Sequence, residues 1–292
     1  MNRFLFAWIA AAALLAGSVE AAEPDWDAVG KALGKTGAVQ PGGIYKVPLP
    51  RTDLKVTLDG VPLKAGFALG SWVAFEPMGD QAMAMGDLVL THDEVNPVMS
   101  KLEAEGFEVT ALHNHLLRST PATMYMHVEG HGDPVKLAAS LHEALSLSQT
   151  PFAPPSAPAA QAAPEIDAAA IDQALGAKGK LNGGVLQYSV ARKDEVRDGG
   201  MALAPAMGTA TAINFQPAGP GKVAATGDFV LIASEVNPVI KALRGHGIEV
   251  TAVHNHMLND QPRIFFLHFW GHGEAKAVAE GLAAALKQTN VQ

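Results

Sequence analysis

The sequence predicts an α+β protein built from two homologous modules that are related by a pseudo-two-fold axis. Each module is expected to hold an antiparallel or mixed sheet with helices on one face, around a ferredoxin-like β-α-β-β-α core. Three observations lead to this prediction. They are an internal repeat, strand and helix patterns that recur in the same order, and a Pro/Ala-rich segment between the two copies.

The repeat is clearest around two histidine motifs, VTALHNHLL at Val109–Leu117 and VTAVHNHML at Val250–Leu258. Aligning residues 87–132 with residues 228–273 requires no gap, and 23 of these 46 positions are identical by direct count. Similarity of this extent at a fixed offset indicates that one structural unit has been duplicated.

The two copies are separated by residues 149–163, which are rich in proline and alanine and carry almost no charge. This composition is typical of an extended linker. The sequence therefore predicts a first module over residues 24–148 and a second module over residues 164–292.

Within each module, the repeated part begins with a short apolar run typical of a buried strand, Gly86–Leu90 in the first copy. A helix is predicted next, because Asn96 suits an N-cap, Pro97 suits the first helical position and Gly106 suits the C-terminal stop.

Two more strands and a second helix complete the β-α-β-β-α order of the module. Alternating apolar residues predict strands over residues 107–115 and 123–130, and an Asp-Pro pair predicts a helix over residues 133–145. The run Ser71–Pro77 is expected to supply the remaining edge strand.

Strand parity predicts where the repeated histidines point, since alternate side chains of a strand lie on opposite faces. His113 and His115 share the parity of Phe107 and Val109, which places them on the face toward the helices. His127 has the parity opposite to the apolar positions of its own strand. One cluster of all three histidines would therefore require a β-bulge.

A metal site is predicted at the sheet edge where the first two strands of the β-α-β unit end. Glu94 follows the first strand, and His113 and His115 close the second. Two imidazoles and one carboxylate are a suitable set for a divalent ion, with Zn²⁺ preferred. The repeat supplies a second predicted ligand set, Glu235, His254 and His256.

A ligand site is also predicted between the modules, if their sheets face each other. His127 and His268 would line this cleft, a common location for ligand sites. The other candidate ligand-binding residues are Tyr125, Phe266, Asn114 and Asn255, although the two asparagines point away from the face of their neighbouring histidines.

Composition and the N-terminus limit the partners and the location. The net charge is −8 and the sequence contains no basic block, which argues against nucleic acid as a partner. Residues 1–22 carry Arg3, an apolar run and small residues at cleavage spacing, so they predict a signal peptide and a periplasmic or secreted protein. With no cysteine in the chain, disulfides, thiolate metal sites and lipid attachment at cysteine are excluded.

The doubled pattern E-x-N-P, H-N-H and G-H-G resembles the LppY/LpqO-type family of exported bacterial proteins. The resemblance covers nearly all of the predicted mature chain and implies an exported protein with a duplicated domain. It implies no activity, and the absence of a cysteine means that membrane anchoring by a lipid is not implied.

Three functions remain open from the sequence. The first is an exported protein that binds a divalent metal through the paired Glu and His-x-His sets, either as a metal-dependent hydrolase or as a binding module. The second is a non-catalytic protein that binds a small molecule or a cell-envelope component in the cleft between the modules. In the third, the histidines serve only the structure. The chain contains no H-E-x-x-H motif, nucleophile elbow or phosphate loop to name a reaction.

Overall fold

The computed structural model describes residues 23–153 and 166–291. The predicted signal peptide lies outside the described residues, as do residues 154–163 of the predicted linker. Within residues 23–153 and 166–291, no helix is long and apolar enough to span a bilayer.

The first module contains eight strands and four helices. In chain order these are α1 (Trp26–Leu33), β1 (Ala38–Val39), β2 (Tyr45–Pro50), β3 (Thr57–Leu58), β4 (Val61–Pro62), α2 (Ala65–Ala68), β5 (Gly70–Met78), β6 (Gln81–Thr91), α3 (His92–Ala104), β7 (Glu108–His113), β8 (Thr123–Gly132) and α4 (Pro134–Leu145).

The second module repeats this order, with a short 3₁₀ helix in place of α2. Its elements are α5 (Ala168–Leu175), β9 (Lys180–Asn182), β10 (Val185–Ala191), β11 (Arg197–Asp198), β12 (Met201–Ala202), a 3₁₀ helix (Pro205–Met207), β13 (Ala210–Pro217), β14 (Lys222–Ile232), α6 (Ala233–Gly245), β15 (Glu249–His254), β16 (Ile264–Glu274) and α7 (Ala275–Leu286).

Each module has one six-stranded sheet in which all neighbouring strands are antiparallel. The strand order is β1-β2-β5-β6-β8-β7 in the first sheet and β9-β10-β13-β14-β16-β15 in the second. Because β8 lies between β6 and β7, those two strands are parallel to each other and joined by α3. The predicted α+β class with duplicated antiparallel sheets is confirmed.

The helices of each module cover one face of its sheet. In the first module, Leu33 of α1, Leu102 of α3 and Leu141 of α4 pack on the sheet residues Phe75 and Met126. The second module buries an equivalent core under α5, α6 and α7. Burying an apolar stripe of each helix against one sheet face is the usual solution for this fold class.

The other faces of the two sheets pack against each other. Two apolar clusters contain residues of both modules, one around Phe67 and Trp270, the other around Met83 and Phe266. The protein therefore has helices outside and the two sheets inside, and the inner faces of the sheets form the contact between the modules.

Two details of the elements differ from the sequence prediction. Helix α3 begins at His92, five residues before the predicted first helical residue, because the Glu94 carboxylate accepts the Thr91 backbone N–H at 2.9 Å and caps the helix there. Pro97 therefore lies inside the helix.

The run predicted as an edge strand is β5, which pairs with β2 on one side and β6 on the other. By contrast, Asp133 caps α4 as predicted.

Candidate metal centre

A β-bulge in β7 decides where the histidines of the first module point. The pairing of β7 with β8 runs through Val109 opposite Val128, then skips one residue and continues with Ala111 opposite His127. Thr110 is the extra residue, and every side chain after it changes face. His113 and His115 therefore leave the helix side that simple alternation predicts and join His127 on the inner face. The second module has the same bulge between Val250 and Ala252.

Each bulge is held by the other module. The Thr110 hydroxyl donates a hydrogen bond to the His256 carbonyl at 2.5 Å, and the Asn255 amide donates to the Thr110 carbonyl at 3.0 Å. These bonds fix the backbone of the second histidine motif at the point where it crosses the first.

The reciprocal bonds run from the second bulge to the first motif. The Thr251 hydroxyl donates to the His115 carbonyl at 2.5 Å, and the Asn114 amide donates to the Thr251 carbonyl at 3.3 Å. The two asparagines predicted to bind a ligand are therefore engaged with the backbone of the opposite module.

Six imidazoles meet between the two sheets as a result. The histidine cluster consists of His113, His115, His127, His254, His256 and His268. Its rings stack in pairs across the modules, with centroids 3.5 Å apart for His113 and His254, and 3.6 Å apart in the other two pairs, His115 with His268 and His127 with His256.

Two aromatic rings close the stacks on either side. Tyr125 lies 3.3 Å from His115, centroid to centroid, and its hydroxyl donates to the Ala68 carbonyl at 2.6 Å. Phe266 lies 3.4 Å from His256 in the equivalent position of the second module. Both residues were predicted to line the space between the modules, and there they pack on the imidazoles.

The free ring nitrogens of the cluster all face inward. The Nε2 atoms of all six histidines are buried and have no hydrogen-bond partner among the described groups. In His113, His254 and His268 the Nδ1 atom lies 2.8–3.2 Å from a backbone carbonyl. Because a carbonyl can only accept, Nδ1 carries the proton in these three rings, and Nε2 keeps a free lone pair.

Two aspartates that no sequence motif indicates complete the cluster. Asp87 lies directly opposite His127 in the sheet, with carboxylate oxygens 3.8 Å from its Nε2 and 4.0 Å from the Nε2 of His115. The Oδ1 atom of Asp87 is buried without a partner. The signal in the sequence was a charged residue, kept in both copies, at the start of an apolar strand.

Asp228 occupies the same position in the second module. It lies opposite His268, and its oxygens are 3.3 Å from the Nε2 of His256 and 3.9 Å from that of His268. Its Oδ1 atom is likewise buried and unpartnered.

Burial shifts the protonation of these groups toward neutral forms. Burial and the neighbouring His254 lower the pKa of His113 to about 3, and burial lowers the pKa of His254 to about 4. The pKa values of the other four cluster histidines lie well below their usual value for the same reason. Burial raises the pKa of Asp87 to about 7 and that of Asp228 well above its ordinary range. Metal-free, the cluster holds neutral imidazoles at neutral pH.

Glu94, predicted as a metal ligand, binds an arginine instead. Its oxygens accept from Nη1 of Arg51 at 2.7 Å and from the backbone N–H of Gln149 at 2.8 Å, in addition to the helix cap. Glu235 binds Arg192 at 2.6 Å and the Asn290 N–H at 2.8 Å in the same way.

These carboxylates belong to a repeated structural ion pair, so the predicted grouping of Glu94 and Glu235 with the histidines is corrected. The physical reason is that a carboxylate at the third helical position is turned back to cap its own helix.

Comparison with known proteins identifies the family. The model of a domain described as "Domain of Unknown Function (DUF1259)" matches residues 27–147 and again residues 169–288. The chain belongs to the DUF1259 family. The two matched copies of the domain correspond to the two modules that form the histidine cluster. The family description assigns no activity.

No curated protein matches the sequence. Among solved structures, the DUF1259 protein is similar to the trimeric bacterial microcompartment shell protein PduB, with 14% identity over 87% of this chain and 89% of that chain, and a TM-score of 0.23. It is also similar to EtuB from Clostridium kluyveri, with 11% identity over 86% and 88% of the two chains and a TM-score of 0.20. Similarity at this level carries no argument about function.

The donor set of this DUF1259 protein fits a metal ion. Two groups of histidines each bring their candidate ligand nitrogens within 4.8 Å of one another: His113, His115 and His127, and His113 with His254, His256 and His268. Buried polar atoms without partners are costly, and a cation would satisfy lone pairs that no protein donor reaches. The histidine cluster could therefore hold a metal ion.

Proposed function

We propose that this protein binds a divalent transition-metal ion at the histidine cluster between its two modules. The observation that carries this proposal is the set of six buried Nε2 atoms that lack a hydrogen-bond partner and belong to two groups of histidines that share His113. In His113, His254 and His268, where Nδ1 carries the proton, Nε2 presents the lone pair that a metal requires. A structural role alone would leave these atoms uncompensated in the protein interior.

The donor chemistry favours Zn²⁺ or another imidazole-binding ion such as Cu²⁺, Ni²⁺ or Fe²⁺. Imidazole nitrogens and two carboxylates suit these ions, whereas Ca²⁺ and Mg²⁺ prefer an all-oxygen shell. With no cysteine in the sequence, thiolate sites are excluded. A positive ion would also compensate the buried carboxyls of Asp87 and Asp228 once they ionise.

Enclosure of the cluster favours binding or buffering over hydrolysis. Side chains of His127, His256 and His268 are between 92% and 97% buried, and the rings contact one another across the modules. A hydrolase must bring a substrate to a metal-bound water at an open coordination position. The same packing disfavours a small ligand between the modules at this point, because imidazoles already fill the space.

The location and the finer fold description are part of the proposal. The sequence pattern of residues 1–22 supports export to the periplasm or beyond, and the E-x-N-P, H-N-H and G-H-G pattern supports an LppY/LpqO-type member of the family. The reciprocal bonds of Thr110 and Thr251 support a pseudo-two-fold axis through the centre. The order β6-α3-β7-β8-α4 supports a ferredoxin-like core in each module.

Elemental analysis of the untagged full chain tests the proposal directly. We expect stoichiometric metal after purification, or after loading a chelator-treated sample with Zn²⁺, and its loss in the double variant His113→Ala, His254→Ala. The matched control is His131→Ala, His272→Ala, which removes another repeated pair of histidines that lies exposed outside the cluster. A native chain that stays free of metal after loading with Zn²⁺, Cu²⁺, Ni²⁺ or Fe²⁺ would overturn the proposal, as would equal loss in the control.

A further inference from the structure

We infer that the centre holds two ions per chain, one on the histidines and aspartate of each module, and that the ion of the first module is bound more weakly because Lys46 lies beside it. This inference rests on the proposed function and adds the number of ions and their order of loading. It is argued from the donor count, from the division of donors between the modules, and from one charge that only the first module carries.

The donor count exceeds what one ion can use. Six imidazole nitrogens belong to two groups that share His113, and the carboxylates of Asp87 and Asp228 each lie beside two of these histidines. Zinc in proteins takes four ligands as a rule, and the other first-row ions take up to six. One ion would leave buried donors without a partner, whereas two ions at the short separation of known two-metal sites accommodate all of them.

The donors divide by module into two sets of the same composition. In the first module, His113, His115 and His127 bring their nitrogens within 4.8 Å of one another, and Asp87 lies beside two of them. Three imidazoles and one carboxylate make a four-coordinate set for one ion.

The second set has the same composition. His254, His256 and His268 lie within the same limit of one another, with Asp228 beside His256 and His268. His113 belongs to both groups of nitrogens and stacks on His254 at 3.5 Å, so these two rings lie where the sets meet.

Lys46 makes the two sets unequal. Its Nζ lies 3.7 Å from the centroid of the Trp72 ring and donates to the Ala206 carbonyl at 2.7 Å. Trp72 is the residue directly opposite Asp87 on the neighbouring strand, so the ammonium is held on the Asp87 side of the centre. Its charge partly opposes the rise in the pKa of Asp87, which burial causes.

The second module has no charge at this position. Lys46 pairs with Ala74 in the first sheet, and the equivalent pair in the second sheet is Gln187 with Asn214. Gln187 donates to the Gly66 carbonyl at 3.1 Å, and the residue opposite Asp228 is an alanine where the first module has Trp72. A positive charge near only one of two cation sites lowers the affinity of that site.

Titration of the chelator-treated full chain with Zn²⁺ in a calorimeter, checked by elemental analysis, measures the number of ions. We expect two ions per chain bound in two resolvable steps. Asp87→Asn should remove or weaken the weaker step and leave the tighter one, and Asp228→Asn should do the reverse. One ion per chain, lost equally in both variants, would overturn the inference while leaving metal binding itself intact. Absence of any metal would instead overturn the proposed function.

Charge substitutions test the assignment to Lys46. Lys46→Gln introduces the residue type that the second module has at the equivalent position, Gln187. It should lower the dissociation constant of the weaker step by about tenfold, the size expected for one nearby charge. Lys46→Arg keeps the charge over Trp72 and should leave the two steps as they are. Gln187→Lys should weaken the tighter step, and near-ultraviolet circular dichroism verifies that each variant is folded. An unchanged weaker step in folded Lys46→Gln would overturn the role of Lys46.

Discussion

Replacing one cluster histidine by leucine should change stability in opposite directions without and with metal. His127 is the best position, because its ring is buried, its Nε2 has no partner, and no hydrogen bond is formed by its Nδ1 within the described residues. An unsatisfied buried polar atom costs about 1–3 kcal/mol. Leucine removes that cost but loses the stacking on His256, so the metal-free His127→Leu chain should gain about 1 kcal/mol.

The metal-loaded comparison should have the opposite sign. At a free Zn²⁺ concentration 100 times the dissociation constant, binding stabilises the native chain by about 2.7 kcal/mol. If His127→Leu weakens binding about 100-fold, the same Zn²⁺ concentration stabilises the variant by only about 0.4 kcal/mol. Relative to the native chain, the variant would then be more stable by about 1 kcal/mol without Zn²⁺ and less stable by about 1 kcal/mol with Zn²⁺.

Urea unfolding of both chains, with chelator and with buffered Zn²⁺, measures this reversal. His131→Leu is the control, because this histidine lies exposed outside the cluster and should shift neither curve by much. The reasoning would be refuted if His127→Leu destabilised the chain by the same amount in chelator and in Zn²⁺. That outcome would mean that the imidazole serves packing alone.

Three further predictions concern residues around the centre. Glu94→Gln should destabilise the chain by about 3 kcal/mol in thermal or urea unfolding, because it breaks the buried pair with Arg51, yet elemental analysis should show unchanged metal content. Glu129, whose pKa burial and Asp198 raise to about 8, keeps its proton in the folded chain over a range where the unfolded chain has lost it. Raising the pH from about 5 to 9 should therefore destabilise the native chain more than it destabilises the Glu129→Gln variant. Equal dependence of the free energy of unfolding on pH for the two chains, measured by urea unfolding, would contradict this. Thr110→Val should cost about 1 kcal/mol in urea unfolding, because it removes a hydrogen bond to the second module, and a value near zero would show that this bond contributes little.

The sequence predicted the order of the elements but could not predict their faces. The strand patterns and the Asp133 cap gave β6, β8 and α4, since apolar periodicity and capping are local signals. The facing of His113 and His115 depended on one extra residue, Thr110, in the ladder. Because contacts with the other module stabilise this bulge, no local sequence pattern predicts it.

The structure brings the predicted histidines together but separates them from the predicted carboxylates, and the same cause explains both outcomes. The position of Glu94 near the end of a strand predicts a metal ligand, but its partner is Arg51, 43 residues earlier in the chain. Asp87 lies within an apolar strand, where the sequence shows no partner for a charged residue. Its neighbours are His127 of β8 and His115, which follows β7, and only the tertiary structure brings them together.

The exchange of hydrogen bonds between Thr110, Thr251 and the two histidine motifs has an evolutionary consequence. Each motif depends for its backbone geometry on a threonine from the other copy, so one copy by itself lacks half of the supports. A single-copy ancestor carrying the same residues could have formed these bonds only by associating with an identical molecule about a symmetry axis. Fusion of the two genes would then have made the partnership permanent and freed positions such as Lys46 and Gln187 to diverge.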